Sequence, residues 1–130
     1  MLSSRFIAGA AALALFAAPA LGADYLDGAV QSTDIGGQMV LTDANGMTLY
    51  IFDNDEPGVS NCYDDCAVKW PPLFADAEAE PEGDFTVVER TDGTAMWAYK
   101  GMPLYYWYED AAPGDITGDG VGGVWHLALE

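Results

Sequence analysis

The chain has 130 residues, of which 21 are acidic and 4 are basic, so its formal net charge at pH 7 is -17. A surface this negative argues against binding to nucleic acids or anionic membranes, which needs lysine and arginine. It suits a solvated protein, or one that meets cations or a basic partner. The length is that of one small domain, and an aromatic fraction of 12% argues against disorder.

The first residues are typical of an export signal. Arg5 supplies a short positive region, and an apolar run rich in alanine and leucine follows it over residues 6–18. This run is short for a transmembrane helix of about 20 residues. Small residues precede Ala23, so we expect cleavage before it and no membrane span afterwards. The sequence therefore predicts a signal peptide over 1–22 and a single domain over 23–130, located in the periplasm or outside the cell.

The first half of the mature chain is predicted to form one β-hairpin. Residues 23–37 have mixed composition and are expected to add at most a lead-in strand. Residues 39–42 are β-prone, the Asn-Gly pair within 43–46 is a strong turn signal, and residues 48–52 return as the second strand. A polar loop over 53–60 is expected to follow.

The second half is predicted to alternate strands with turns. Before it, the first half is expected to close with a short helical turn at 62–68, which must end before Pro71 and Pro72 because prolines cannot donate backbone hydrogen bonds. The acidic stretch 75–84 is predicted to be a flexible linker between the halves. The expected strands are 85–89, 95–99, 103–108 and 124–129, with a glycine-rich loop at 111–123.

One pattern occurs twice, at a constant offset of 55 residues. Residues 46–52 read Gly-Met-Thr-Leu-Tyr-Ile-Phe, and residues 101–107 read Gly-Met-Pro-Leu-Tyr-Tyr-Trp. An aspartate follows each copy, and a tryptophan follows further on. The sequence therefore predicts an all-β domain of two repeated hairpin units, about 38–74 and 85–129, with long loops and at most short helical turns. These units form a small sheet or a sandwich, and either arrangement fits the pattern.

The repeated motif allows two interpretations. Tyr50 and Phe52 share one face of a strand, as Tyr105 and Trp107 do, and the strands are apolar on both faces. In the first interpretation the aromatic residues form core and the aspartates fix turns. In the second they form a pocket edged by carboxylates. The candidate binding residues are then Tyr50, Phe52, Asp55, Tyr105, Trp107 and Asp110.

The motif resembles the secreted repeat family of unknown function, whose members are predicted lipoproteins with Tyr-x-aromatic-x-x-Asp. The similarity extends to the cysteine and Trp-Pro-Pro-Leu run over 62–73 and to the segments 113–115 and 120–126. The chain departs from the lipoproteins because no cysteine stands at the expected cleavage site. The resemblance implies export and a repeat architecture, and no established reaction.

Cys62, Cys66 and His126 are the only cysteine and histidine residues. In an exported protein the two cysteines are expected to form a disulfide, and no cofactor is the default expectation. Copper is one alternative, because reduced thiolates and an imidazole are ligands that suit it. Calcium is another, since carboxylates recur in the loops, for example at Asp53 and Asp55.

No sequence motif for catalysis is apparent. The chain has no nucleophile elbow around a serine, no phosphate-binding loop and no zinc-protease helix. We therefore expect a non-enzymatic binding or structural module of the cell envelope, with an envelope protein or a cation as its partner. The alternative function is that of a periplasmic copper-handling or redox protein that uses the two cysteines and His126.

Overall fold

The computed structural model describes residues 22–130, so the predicted signal peptide lies outside the described residues except for Gly22. The described chain is made of short antiparallel strands with little helix, which confirms the all-β prediction. None of its helices combines the length and the apolar character that crossing a membrane requires. The strands are β1 Asp24–Tyr25, β2 Val30–Ile35, β3 Gln38–Asp43, β4 Tyr50–Phe52, β5 Phe85–Glu89, β6 Ala95–Tyr99, β7 Met102–Pro103 and β8 Trp125–Leu127. The helices are α1 Asp65–Lys69 and two 3-10 turns, Leu26–Gly28 and Val121–Gly123.

The strands form three small sheets, in the orders β1-β2-β3, β5-β6-β7 and β4-β8. The bounds predicted for β5 and β6 agree with the structure. The first hairpin differs: β3 pairs along its whole length with β2, from the segment expected to give at most a lead-in strand. Residues 48–52 meet β3 only at their start, through the Thr42–Thr48 bridge and the hydrogen bond from the Leu49 N–H to the Leu41 carbonyl, because Tyr50 to Phe52 pair with β8 instead.

The two repeats exchange their last segments. Leu49, Leu41 and Ala128 form a closed ring of backbone hydrogen bonds, in which Ala128 comes from the end of the second repeat. The equivalent ring in the other half joins Leu104, Trp97 and Leu73, in which Leu73 comes from the end of the first repeat. Each folded half is therefore completed by the other repeat. We call residues 22–52 with 125–130 the first lobe, and residues 70–106 the second lobe.

The turns that join the hairpin strands differ in length by one residue. Asp43 bonds Met47 across the first turn, whereas Tyr99 pairs with Met102 across the second. The offset between equivalent residues is therefore 55 after the turn and 56 before it, so Leu41 corresponds to Trp97. Extending the offset of 55 back over the first strand would align 39–43 with 94–98, which is wrong by one residue for this reason.

Both faces of the motif strands are covered, as their apolar composition predicts. One cluster lies between the lobes and contains the tyrosines, Phe52 and the tryptophans of the repeat, while the other contains Leu49 and Leu104. The reciprocal backbone hydrogen bonds between Tyr50 and Tyr105 join the lobes at the centre. The motif residues therefore lie where the two repeats meet.

Candidate functional site

Four aromatic rings form a continuous stack between the lobes. Trp70 and Trp125 lie at its centre, nearly parallel, with ring centroids 3.7 Å apart. Phe52 covers the outer face of Trp125 and Trp107 covers Trp70, each with a centroid distance of 4.1 Å, although Trp107 is tilted by 34° and Phe52 by only 6°. Because Phe52 is the repeat equivalent of Trp107, and Trp70 of Trp125, the stack follows the pseudo-twofold symmetry. Contacts of this kind contribute beyond the area they bury.

Each motif tyrosine donates a hydrogen bond to the motif aspartate of the other repeat. The Tyr105 hydroxyl donates to Asp55 at 2.6 Å, and the Tyr50 hydroxyl donates to Asp110 at 2.7 Å. Both tyrosine side chains are fully buried. The aspartates lie in the loops that follow the motif strands, so each loop is fixed to the opposite repeat. This reciprocal pairing explains why an aspartate follows each motif tyrosine at a fixed distance in the sequence.

The Asp55 pair belongs to a buried polar network. Asp55 also accepts the backbone N–H of Asn61 at 2.7 Å, which holds the loop. Ser60 lies 2.6 Å from the Tyr105 hydroxyl, and Arg90 donates to Ser60 at 2.8 Å. Since the Tyr105 proton points to Asp55, the Ser60 hydroxyl donates to Tyr105. A chain of donors therefore runs from a guanidinium to a carboxylate.

Arg90 is the residue that distinguishes this network. The residue is 5% exposed, its guanidinium donates to the Cys62 carbonyl at 2.7 Å, and it lies over the Tyr63 ring at 4.1 Å. Its Nε has no hydrogen-bond partner within the described residues, and Asp92 is 3.8 Å away. Arg90 therefore ties the loop that carries the disulfide to the second lobe. Sequence reasoning missed this role, although Arg90 is the one arginine after the predicted signal.

The Asp110 pair has a different environment. Asp110 accepts the backbone N–H and the hydroxyl of Thr117, and the N–H of Gly118 donates to the Tyr50 hydroxyl at 3.1 Å. A Cβ at Gly118 would lie 2.8 Å from the Trp107 ring, so only glycine fits there. Asp110 is half-buried, and its pair contains no arginine or serine. Backbone groups of a glycine-rich loop replace them.

Burial controls the acid–base properties of the motif. Burial and then the hydrogen bond to Asp55 raise the pKa of Tyr105 well above its ordinary value, and burial and Asp110 do the same to the pKa of Tyr50. Burial also raises the pKa of Asp55, although Tyr105, the Asn61 N–H and the Arg90 charge oppose the shift. Both phenols therefore stay protonated near neutral pH and act as fixed donors.

Cys62 and Cys66 form the expected disulfide. Their thiolates would become available to a metal only after reduction. His126 lies at the surface, where its Nε2 is 2.8 Å from the carboxylate of Asp53. Within residues 22–130 no group of three or more His, Cys, Asp and Glu side chains is placed to hold a metal ion. Copper and calcium stay predictions.

The structure brings the six candidate binding residues together at the interface between the repeats. The two Tyr–Asp pairs bond each other, and the aromatic rings pack against Trp70 and Trp125, which favours the interpretation as core and loop-fixing residues. Sequence reasoning did not anticipate that each tyrosine bonds the aspartate of the other repeat. It also missed a third bond between the lobes, from the Tyr106 hydroxyl to Asp43 at 2.7 Å. A constant offset between two copies identifies equivalent residues. It does not show whether those residues make contacts within one repeat or between the two repeats.

Comparison with known proteins gives one family. The profile of a family described as a secreted repeat of unknown function matches residues 27–74 and 86–128. Each matched segment corresponds to one repeat, and together they cover more than half of the chain. Searches of curated proteins and of solved structures gave no significant match.

Proposed function

The chain belongs to the family of secreted repeats of unknown function, and we propose that it acts outside the cytoplasm as a non-enzymatic binding module of the cell envelope. In this proposal the two repeats lock each other into a rigid scaffold. The acidic exterior of the scaffold contacts a cationic partner.

The reciprocal Tyr–Asp pairs are the observation that carries the proposal. Residues that could perform acid–base chemistry are buried and bonded to one another across the repeats. Their hydroxyl groups keep their protons at neutral pH because burial raises the pKa of both tyrosines. A general acid or base needs a pKa near the working pH and access to a substrate. The motif therefore supports a structural role within the scaffold.

The charge of the exterior supports a cationic partner. All 21 acidic residues follow the predicted signal peptide, together with only three basic ones. Arg90 is buried, so Lys69 and Lys100 are the exposed cations of the described chain. An excess of one charge speeds association with an oppositely charged partner and makes that association sensitive to salt.

Capture experiments with matched variants test this function. The purified mature chain serves as bait for the extracytoplasmic fraction of the producing cell, at low and at high salt. Tyr105→Phe removes a motif hydroxyl and keeps the surface unchanged. A second variant neutralises the exposed carboxylates at 76, 78, 80, 82 and 84.

We expect folded Tyr105→Phe to retain its partner, and we expect the neutralised variant and high salt to release it. The opposite pattern would contradict the proposal: a folded Tyr105→Phe that loses the partner, with no effect of charge or salt. That result would assign a direct functional role to the motif hydroxyl.

A further inference from the structure

One sheet of the protein has an open edge where its repeat equivalent is covered. In the first lobe the outer edge of β2 is paired with β1, and the Ser32 N–H donates to the Ala23 carbonyl. In the second lobe β5 is the equivalent of β2. It lies at the end of its sheet, and no strand from residues 22–130 pairs with its outer edge.

The register of β5 shows which groups face outward. The backbone N–H of Lys100 donates to the Asp84 carbonyl, and the backbone N–H of Arg90 donates to the Thr94 carbonyl, so the backbone groups of Thr86 and Val88 make the bonds to β6. In an antiparallel pair the alternate residues direct their backbone groups to the other side. The N–H and C=O groups of Val87 and Glu89 therefore face outward, whereas those of Phe85 bond Glu82.

The surroundings of this edge are acidic. Residues 76–84 carry Asp76, Glu78, Glu80, Glu82 and Asp84, all of which are exposed, and Glu89 adds another carboxylate at the far end of β5. A cleft of about 310 Å³ lies at that end, and Phe74, Ala77, Glu89 and Ala95 contribute to its lining. Phe74 is 57% exposed, although its aromatic ring is apolar.

We propose that the outer edge of β5 binds an extended, lysine- or arginine-rich peptide segment of a partner protein as an added strand. Backbone bonds to Val87 and Glu89 would hold the segment, as β1 is held on β2, and the carboxylates of 76–84 select positive side chains. An apolar side chain of the segment can enter the cleft beside Phe74. This inference rests on the proposed function and names the site and the chemistry of its cationic partner.

A pair of synthetic peptides separates strand addition from simple charge attraction. The first peptide alternates lysine and valine. The second has the same side chains but carries N-methyl groups on alternate backbone nitrogens, which removes the donors of one edge. Binding of both to the isotope-labelled mature chain is followed by amide chemical shifts and by hydrogen exchange.

We expect the first peptide to bind, to shift the Val87 and Glu89 amides and to slow their exchange. The N-methylated peptide should bind about tenfold more weakly, because it cannot form the backbone bonds. Equal binding of the two peptides, or shifts that lie away from β5, would overturn the edge proposal and leave the cationic partner of the proposed function intact. If neither peptide binds at low salt, the edge proposal is wrong, and the salt dependence of the capture experiment decides the proposed function separately.

Variants of the chain give a second, independent test. Val87→Pro removes the outward N–H and spares the β5–β6 bonds, since proline is tolerated on edge strands where the N–H faces solvent. Val87→Thr keeps the N–H and is the matched control. We expect Val87→Pro to weaken the first peptide about tenfold and Val87→Thr to leave it unchanged. Equal effects of the two variants would contradict the proposal, and the peptide pair decides the matter if Val87→Pro does not fold.

Charge is tested in the same assay. Neutralising the five carboxylates of 76–84 should weaken the first peptide more than neutralising five other exposed ones, at Asp24, Asp27, Asp64, Asp65 and Glu109. Equal weakening would show that only the overall charge matters, which would overturn the assignment of the partner to this edge.

Discussion

The two Tyr–Asp pairs arise from the same motif but have different surroundings. Tyr105 and Asp55 lie in a buried network with Ser60 and Arg90, beside the disulfide loop. Tyr50 and Asp110 are held by the backbone of a glycine-rich loop, with Asp110 half-buried. The repeated residues determine which groups bond, and the residues that are not repeated determine how strongly each pair is held.

The largest effects should be equal in the two halves, because the aromatic stack is symmetric. Trp70→Ala and Trp125→Ala each remove a ring that contacts three aromatic neighbours. Each should lower the free energy of unfolding by about 3–5 kcal/mol, measured by chemical denaturation. The exposed Val68→Ala should change it by less than about 0.5 kcal/mol. A well-tolerated substitution at either tryptophan would contradict the pseudo-symmetric stack.

Removal of one hydroxyl should separate the two pairs. Tyr105→Phe leaves a buried carboxylate without its phenol donor, so it should lower the free energy of unfolding by about 2–3 kcal/mol. Tyr50→Phe leaves the half-buried Asp110 within reach of water, so the loss should be about 1 kcal/mol. Equilibrium denaturation of the two variants and the wild type measures both losses. Equal losses, or a larger loss at Tyr50, would show that Arg90 and Ser60 do not make the first pair stronger.

The disulfide should stabilise one loop more than the rest of the molecule. Replacing Cys62 and Cys66 together with alanine should lower the free energy of unfolding by about 2 kcal/mol, because the closed loop is short. Hydrogen exchange should become faster over residues 53–69 and stay unchanged over the equivalent loop at 108–124. Faster exchange in both loops would argue against a local role.

The pH dependence of stability should report the burial of Asp55. Its pKa in the folded protein is raised, so its contribution is present below the unfolded pKa, near 4, and is lost as the pH rises through the folded value. Asp55→Asn stays neutral at every pH. The difference in unfolding free energy between Asp55→Asn and the wild type should therefore shift in favour of the variant from about pH 4 to pH 7. A constant difference, or a shift the other way, would contradict this assignment.

The sequence predicts the strands better than it predicts their pairing. The bounds of β5 and β6, the short helix before Pro71 and the coverage of both strand faces follow from local composition and turn signals. The strand β2 was underestimated, because four consecutive polar residues separate Val30 from Ile35 and the segment contains no aromatic residue. Their pairing with β3 depends on tertiary contacts.

The site was predicted only in its parts. The offset of 55 residues identified Tyr50, Tyr105 and the two aspartates, and the export signal made a disulfide the natural expectation. The exchange of tails between repeats could not be predicted, since a repeat is equally consistent with contacts within each copy. Arg90 and Ser60 have no counterpart beside the second Tyr–Asp pair, so the repeat pattern does not identify them.

A double-mutant cycle tests the reciprocal lock most directly. Tyr105→Phe and Asp55→Asn are combined across the repeats, and Tyr105→Phe is combined with Asp110→Asn within one repeat as the control. The unfolding free energies should show a coupling of about 1–2 kcal/mol for the first pair and less than about 0.5 kcal/mol for the second. Coupling that is larger between Tyr105 and Asp110 would contradict the account, because the motif would then act within each repeat.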